Sequence, residues 1–330
     1  MKALALKKYG QPEEWVDMPL PRPEPDQVVV KVAAVGLNPL DRMIADGQFK
    51  LLFPYRLPQI MGNEFSGVIT EVGNNVTDWK IGDEVYARPN IRHLGAFAEY
   101  IAVNAADLAH KPANLSFEEA ASLPLVLLTA IQAFTEKSTV GPGVTVFIQG
   151  GAGGLGAIAI QVAKYLGATV ATTVSAKDID HVKKLGADIV IDYRRQRYEE
   201  HIHNYDIVLD TIGGEETYRA MTVLRPGGQL ISVVAAPDAE FARLIGKPIM
   251  APVMAFMSRK QRGAAKKLGV NYSFLFMRAN GAQLASFTPV IEEGLIRPFI
   301  GEVVPFDELP QALANLKQPK KTSGKVVAAL

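Results

Sequence analysis

No cysteine occurs in this sequence. That removes disulfides, iron–sulfur clusters, thiol nucleophiles and every cysteine-bearing zinc site. No apolar run reaches the roughly 18 residues that a membrane-spanning helix needs. The opening MKALALKKYGQPEEW is broken by charge before an apolar core of signal-peptide length can form. A surplus of charge is missing too, since 35 Lys and Arg stand against 34 Asp and Glu. With no global field to recruit nucleic acid or an acidic membrane surface, a small molecule is the expected partner. Histidine is sparse: His93, His110, His181, His201 and His203 are scattered and read as exposed structural residues rather than a ligand set. Together these absences predict a reducing, cytoplasmic compartment, no metal and no membrane span.

What is present has two textures. At 330 residues the chain is long enough for two domains. Up to about residue 122 it is punctuated by Pro and Gly and carries short β patterns at Val28–Ala34, Gly67–Val72, Glu84–Ala87 and Glu99–Val103. From about residue 123, β-branched runs alternate with helical patterns: strands at Val144–Gln149, Thr169–Val174, Ile189–Asp192, Ile207–Thr211 and Gln229–Val234, helices at Leu155–Leu166, Asp178–Leu185 and Glu215–Leu224. Such alternation predicts a parallel sheet covered on both faces, and Val270–Phe276 would bring it to six strands. Residues 287–318 return to helix and turn patterns, and the strand pattern Gly324–Ala329 needs a sheet to join. The expected class is therefore α/β, with a β-rich domain over 1–122 and 285–330 and a doubly wound domain over 123–284. One stretch fits neither domain cleanly. Leu244–Met257 is apolar, and the next ten residues carry Arg259, Lys260, Arg262, Lys266 and Lys267. It reads as an amphipathic surface helix with a solvated end, with a lid over an apolar substrate and peripheral membrane contact as alternatives.

The strand at Val144–Gln149 runs into Gly150-Gly151-Ala152-Gly153-Gly154-Leu155-Gly156 and then into a helix. Gly151, Gly153 and Gly156 match GxGxxG, in which glycines permit a tight turn, close backbone approach to a pyrophosphate and close helix–strand packing. The helix N-terminus adds unpaired N–H groups and partial positive charge for the phosphates. The flanking strand and helix raise this loop, Gly154 and Leu155 included, above a bare glycine-rich turn. NAD sites place an acid about 20 residues further on to hold the ribose hydroxyls. Here the stretch reads Thr172-Thr173-Val174-Ser175-Ala176-Lys177. A hydroxyl and a cation at Ser175 and Lys177, with Tyr193 ending the neighbouring strand, suit a 2′-phosphate and hence NADPH. The plainer alternative makes Lys177 a solvated helix-start lysine and Ser175 an N-cap.

Several segments then carry a resemblance: Gly36-Leu37-Asn38-Pro39-Leu40-Asp41, Gly62-Asn63-Glu64-Phe65-Ser66-Gly67-Val68, Gly82-Asp83-Glu84-Val85-Tyr86 and Gly95-Ala96-Phe97-Ala98-Glu99-Tyr100. Ala120-Ala121-Ser122-Leu123-Pro124, the glycine loop, Leu224-Arg225-Pro226-Gly227-Gly228 and Thr322-Ser323-Gly324-Lys325-Val326-Val327 extend it. Over nearly its full length the chain resembles the medium-chain dehydrogenase/reductase superfamily, and within it the zinc-free quinone oxidoreductases and alkenal/enone reductases. The resemblance implies a GroES-like catalytic domain, a Rossmann cofactor domain, an active site between them and a homodimer. It also implies a nicotinamide near Asn38 and Thr129, backbone contacts around Val234, Phe274 and Phe276, and Lys325 among the cofactor residues.

Zinc-bearing members carry Cys and His where this chain has Asn38 and Asn63, and neutral amides are poor zinc ligands. The expected reaction is therefore metal-free hydride transfer from NADPH to a quinone or an α,β-unsaturated carbonyl. Asn38 is the candidate donor to the carbonyl oxygen, or else a turn-forming Asn before Pro39. Asp41 is expected to hold the loop or pair with a cation rather than act as the acid, and Tyr55 either reaches the cleft or packs. A zinc-free alcohol or carbonyl dehydrogenase and an NADPH-binding protein without turnover are the competing functions.

Overall fold

The computed structural model describes residues 1–316, 318 and 322–330. The chain divides into two compact units, Met1–Leu128 with Arg278–Leu330, and Thr129–Met277. The changeover falls inside the helix Pro124–Thr135, six residues beyond the expected 122/123 boundary.

The first unit begins with β1 (Lys2–Leu6), β2 (Glu14–Asp17), β3 (Gln27–Leu37), β4 (Gln59–Ile60), β5 (Phe65–Val72), β6 (Glu84–Ala87), β7 (Tyr100–Asn104) and β8 (Leu108–His110). The second contains β9 (Thr145–Ile148), β10 (Thr169–Val174), β11 (Ile189–Asp192), β12 (Tyr205–Asp210), β13 (Leu224–Ser232) and β14 (Asn271–Phe274). The chain then returns to the first unit with β15 (Ile300–Pro305) and β16 (Lys325–Ala329).

In the first unit, β3 is the organising strand. It is long and nearly all apolar, with Val28, Val30, Ala34 and Val35 fully buried. β5 pairs along one of its edges. The other edge is shared, β7 taking Gln27–Lys31 and β16 taking Ala34–Leu37. The sheet runs β15-β16-β3-β5-β6-β8. The late strand β16 thus enters the sheet of the first unit, as the sequence pattern required. β15 is a correction: within 287–318, where helix and turn were expected, Ile300–Pro305 is a strand parallel to β16. Its exposed Glu302 and Val303 break the strict alternation that would have marked it.

In the second unit, a six-stranded parallel sheet runs β11-β10-β9-β12-β13-β14. Its strands are buried on both faces, which explains their continuous rather than alternating apolar runs. Phe147, Ala171, Ile191, Val208 and Leu230, one from each of five strands, pack together with Met221 and Val223. The strand order reverses beside β9, and it is β9 that leads into the glycine loop.

Candidate active site

In the first unit a buried polar cluster forms around the end of β3. Asn38 follows β3 and caps the helix Pro39–Ala45, with Pro39 in its first turn. Its backbone N–H donates to Asp41 Oδ2 at 2.7 Å. Asn63 Nδ2 donates to Asp41 Oδ1 at 2.6 Å. Asn38 Nδ2 donates to Glu64 Oε1 at 2.7 Å, and the Lys325 ammonium lies 2.5 Å from both Asn38 Oδ1 and Glu64 Oε1. Glu64 Oε2 accepts from the backbone N–H of Leu125 at 2.8 Å. Asn38, Asp41, Asn63, Glu64 and Lys325 are all buried. Gly36 makes the approach possible, since a Cβ there would meet Glu64 Oε1 at 2.4 Å and the Ala121 carbonyl at 2.6 Å.

The electrostatics follow from burial. Loss of hydration pushes the Asp41 carboxyl up to about 7; hydrogen bonds from Asn63 and Asn38 pull the other way, and Glu64 adds to the rise. Lys325 is held between a carboxylate and an amide oxygen. An ammonium on the amide oxygen withdraws electron density and strengthens the remaining Asn38 N–H as a donor. A zinc ion does not fit this donor set: the Asn38 amide is committed to Glu64 and Lys325, Asn63 Nδ2 is committed to Asp41 while its buried Oδ1 has no partner, neutral amide oxygens are poor zinc ligands, and a cation already neutralises Glu64. Among the described residues no group of three or more His, Cys, Asp or Glu is arranged to hold a metal.

Tyr55 stands apart from this cluster. Its hydroxyl donates to the Ile91 carbonyl at 2.6 Å, and burial raises its pKa. Arg88, fully buried, donates from Nη1 to the Pro89 carbonyl at 2.7 Å, while Nε and Nη2 have no hydrogen-bond partner. Burial lowers its pKa to about 10, against the pull of Tyr55, Asp107, Glu64 and Asp41.

In the second unit, Gly150 takes φ +66°, and Gly153 caps the helix Gly154–Tyr165. The glycines differ in what they allow. A Cβ at Gly151 would lie 2.3 Å from Thr172 Oγ1, and one at Gly156 would lie 2.3 Å from the Gly150 carbonyl oxygen. Both are required by close packing. At Gly153 the nearest atom would be 3.3 Å away, and the backbone angles (φ −77°, ψ 164°) suit any residue. Its missing side chain leaves room in front of the helix N-terminus, the cradle a pyrophosphate needs. Leu155 and Gly156 follow in the first turn.

The ends of β10 and β11 lie side by side, Val174 opposite Asp192. Ser175, Lys177 and Tyr193 are thereby brought to one corner of the sheet. The Ser175 hydroxyl is occupied with Asp178 at 2.7 Å, whereas Tyr193 is more than half exposed, with the Arg194 guanidinium 5.8 Å from its ring centre. Val234 lies just beyond β13, exposed, and its N–H donates to Ser232 Oγ at 3.3 Å. Phe274 ends β14, and Phe276 lies two residues on, its ring 5.3 Å from Phe241. Thr129 lies in the helix Pro124–Thr135, four residues beyond Leu125.

Three buried or site-adjacent residues are not singled out by sequence: Glu64 lies in a family-like segment with no role of its own, Arg88 carries no local signal, and Arg194 stands beside Tyr193. The run Tyr193-Arg194-Arg195 at a strand end was the available signal for Arg194. Nothing local marks Arg88.

The family described as "Alcohol dehydrogenase GroES-like domain" matches residues 24–113, and that described as "Zinc-binding dehydrogenase" matches residues 185–327. A 2-methylene-furan-3-one reductase from Solanum lycopersicum is 33% identical over 99% of this chain and 78% of its own. A chloroplastic NADPH-dependent alkenal/one oxidoreductase from Arabidopsis thaliana is 32% identical, covering 99% and 79%. Among solved structures, the quinone oxidoreductase from Coxiella burnetii superposes with a TM-score of 0.86 at 29% identity, covering 100% of this chain and 99% of that one.

Proposed function

Because the chain belongs to the medium-chain dehydrogenase/reductase superfamily, in its zinc-free quinone oxidoreductase branch, we propose that it is an NADPH-dependent reductase of quinones or of activated C=C bonds such as those of 2-alkenals and enones. The observation that carries this reading is the Lys325 ammonium, 2.5 Å from Asn38 Oδ1 in a buried cluster. It makes a neutral amide a polarised donor without a metal.

The loop Gly151–Gly156 would hold the pyrophosphate of NADPH. Lys177, Tyr193 and Arg194 would hold the 2′-phosphate, with Ser175 beside them. Thr129, Val234, Phe274 and Phe276 would border the nicotinamide. NADPH, when bound, supplies the hydride. Asn38 keeps one amide N–H beyond the bond to Glu64. That N–H is offered to the carbonyl oxygen of an enone or quinone, where negative charge grows as the β-carbon is reduced. Lys325 acts through Asn38. Asp41 fixes Asn38 and Asn63 by its two hydrogen bonds, and Tyr55, its proton committed to the Ile91 carbonyl, takes no proton-donating part. The α-carbon of an enone takes its proton from water, so no side-chain acid is required.

The cysteine-free composition supports a cytoplasmic home. β14, ending the six-stranded sheet, offers an edge for pairing with a second copy as a homodimer.

Isotope placement tests the reaction. With NADPH deuterated at the transferred position, in ordinary water, a vinyl ketone should gain deuterium at the β-carbon, hydrogen at the α-carbon and keep its carbonyl. An allylic alcohol with deuterium on the carbonyl carbon would overturn the proposal.

A further inference from the structure

Residues 241–270 are unlike the rest of the chain. They hold seven basic residues, Arg243, Lys247, Arg259, Lys260, Arg262, Lys266 and Lys267, and not one Asp or Glu, in a chain whose net charge is only +1. The same stretch exposes large apolar side chains. Ile249 is 87% exposed and Phe256 63%, with Val253 and Met257 about half exposed. These four recur at intervals of four, three and one residues through the turn Pro248–Met250 and the helix Ala251–Met257. They therefore share one helical face. The opposite side is the inward one: Met254 and Ser258 are buried, with Ser258 Oγ donating to the Met254 carbonyl at 2.9 Å.

A surface helix normally turns its apolar side inward and its polar side outward. Here the outward side is apolar, and the adjoining helix Arg259–Leu268 surrounds it with exposed cations. Arg259 lies over Phe256, 3.8 Å from its ring centre, so the basic rim and the apolar face are contiguous. We propose that this face docks on an anionic lipid bilayer, with Ile249, Val253, Phe256 and Met257 entering the acyl boundary and the Arg and Lys side chains resting on acidic headgroups. The charge argues against a second copy of the chain as occupant: a two-fold contact through this face would set the cations of the adjoining helix against their own images. A polyanion without hydrocarbon would leave the apolar side chains in water.

Vesicle sedimentation of the full chain tests this. Binding is expected on vesicles of phosphatidylglycerol and phosphatidylcholine in equal parts, and release in molar salt. Phosphatidylcholine alone should bind on the order of 100-fold more weakly, and the combined Lys260→Glu, Lys266→Glu and Lys267→Glu variant should show the same loss. Ile249→Ser with Phe256→Ser should weaken binding by about tenfold or more. NADPH affinity, measured alongside, should stay unchanged in both variants and so reports that they fold. Wild-type protein that ignores the acidic vesicles, or binds both vesicle types alike, overturns the proposal. So does an Ile249→Ser, Phe256→Ser variant that turns a dimer into a monomer while lipid binding is absent, for the face is then an interface between copies.

Discussion

The two units arrange their polar groups in opposite ways. In the second, the candidate phosphate site is backbone: a glycine loop and a helix N-terminus that no side chain caps, Gly153 having none. In the first, it is side chains, with Lys325, Glu64 and Asp41 buried together with two amides. A backbone site is prepared by omission and costs little to maintain. A buried ionic site must satisfy every member, since one unpaired buried charge costs about 3–5 kcal/mol. The difference teaches that the first unit ties its chemistry to its stability, whereas the second keeps them separable.

Substitutions can break that comparison. The largest effect is expected at Gly153. Gly153→Val should abolish measurable NADPH binding, followed by fluorescence, while moving the thermal midpoint by no more than about 2 °C. Gly156→Val, whose Cβ would meet the Gly150 carbonyl oxygen, should instead cost about 1–3 kcal/mol or more by overpacking. Equal behaviour of the two variants would mean the loop is misassigned.

Next comes Asn38. Asn38→Ala removes the proposed donor, so kcat should fall by about 100-fold or more, with NADPH affinity little changed. A change in affinity alone would make Asn38 a cofactor contact and nothing further. At the 2′-phosphate corner, Lys177→Ala and Arg194→Ala should each weaken NADPH by about 10- to 100-fold and leave NADH unaffected. Wild-type protein with equal efficiency for both cofactors would remove the basis for that assignment.

The smallest effect concerns pH. The Asp41 carboxyl holds its proton to about 7 when folded, against an ordinary 3.8. Its contribution to stability is therefore present below pH 3.8 and lost as pH rises through 7. Denaturant melts at pH 5 and pH 8 should show wild type losing stability across that window, and Asp41→Asn losing less. An equal loss in the variant would show that Asp41 is ionised throughout and contributes nothing across this window.

How much of this was legible in the sequence depended on distance along the chain. The glycine loop, its strand and its helix lie within about 25 residues, and each reports on its neighbours. The run Thr169–Val174 could therefore be assigned from pattern alone and is β10 with the same bounds. The buried cluster is legible only in part. Asn38 and Asn63 stand out as amides in metal-ligand positions, but the cation that donates to Asn38 Oδ1, Lys325, is 287 residues away. No local pattern links the two, because their contact is made by β16 pairing with β3. β15 was missed for a related reason: only its pairing with β16 distinguishes a half-exposed strand from a turn. The segment 244–267 was recognised as amphipathic, yet which side faces inward is decided by the packing of Met254 and Ser258, which spacing does not reveal.

The placement of β16 also sets an order of events during synthesis. Asn38, Asp41 and Glu64 leave the ribosome early, whereas Lys325 follows the whole of the second unit, 287 residues after Asn38. At about 5–20 residues per second, that interval is roughly 15–60 s. Throughout it Glu64 lacks its counter-ion, and the edge of β3 beside Ala34–Leu37 lacks its neighbour. The second unit, contiguous in sequence, can reach its fold on the ribosome during that wait. A nascent chain stalled before β16 would thus hold its glycine loop and still lack the contact of Lys325 with Asn38, with the β3 edge at Ala34–Leu37 left open for pairing.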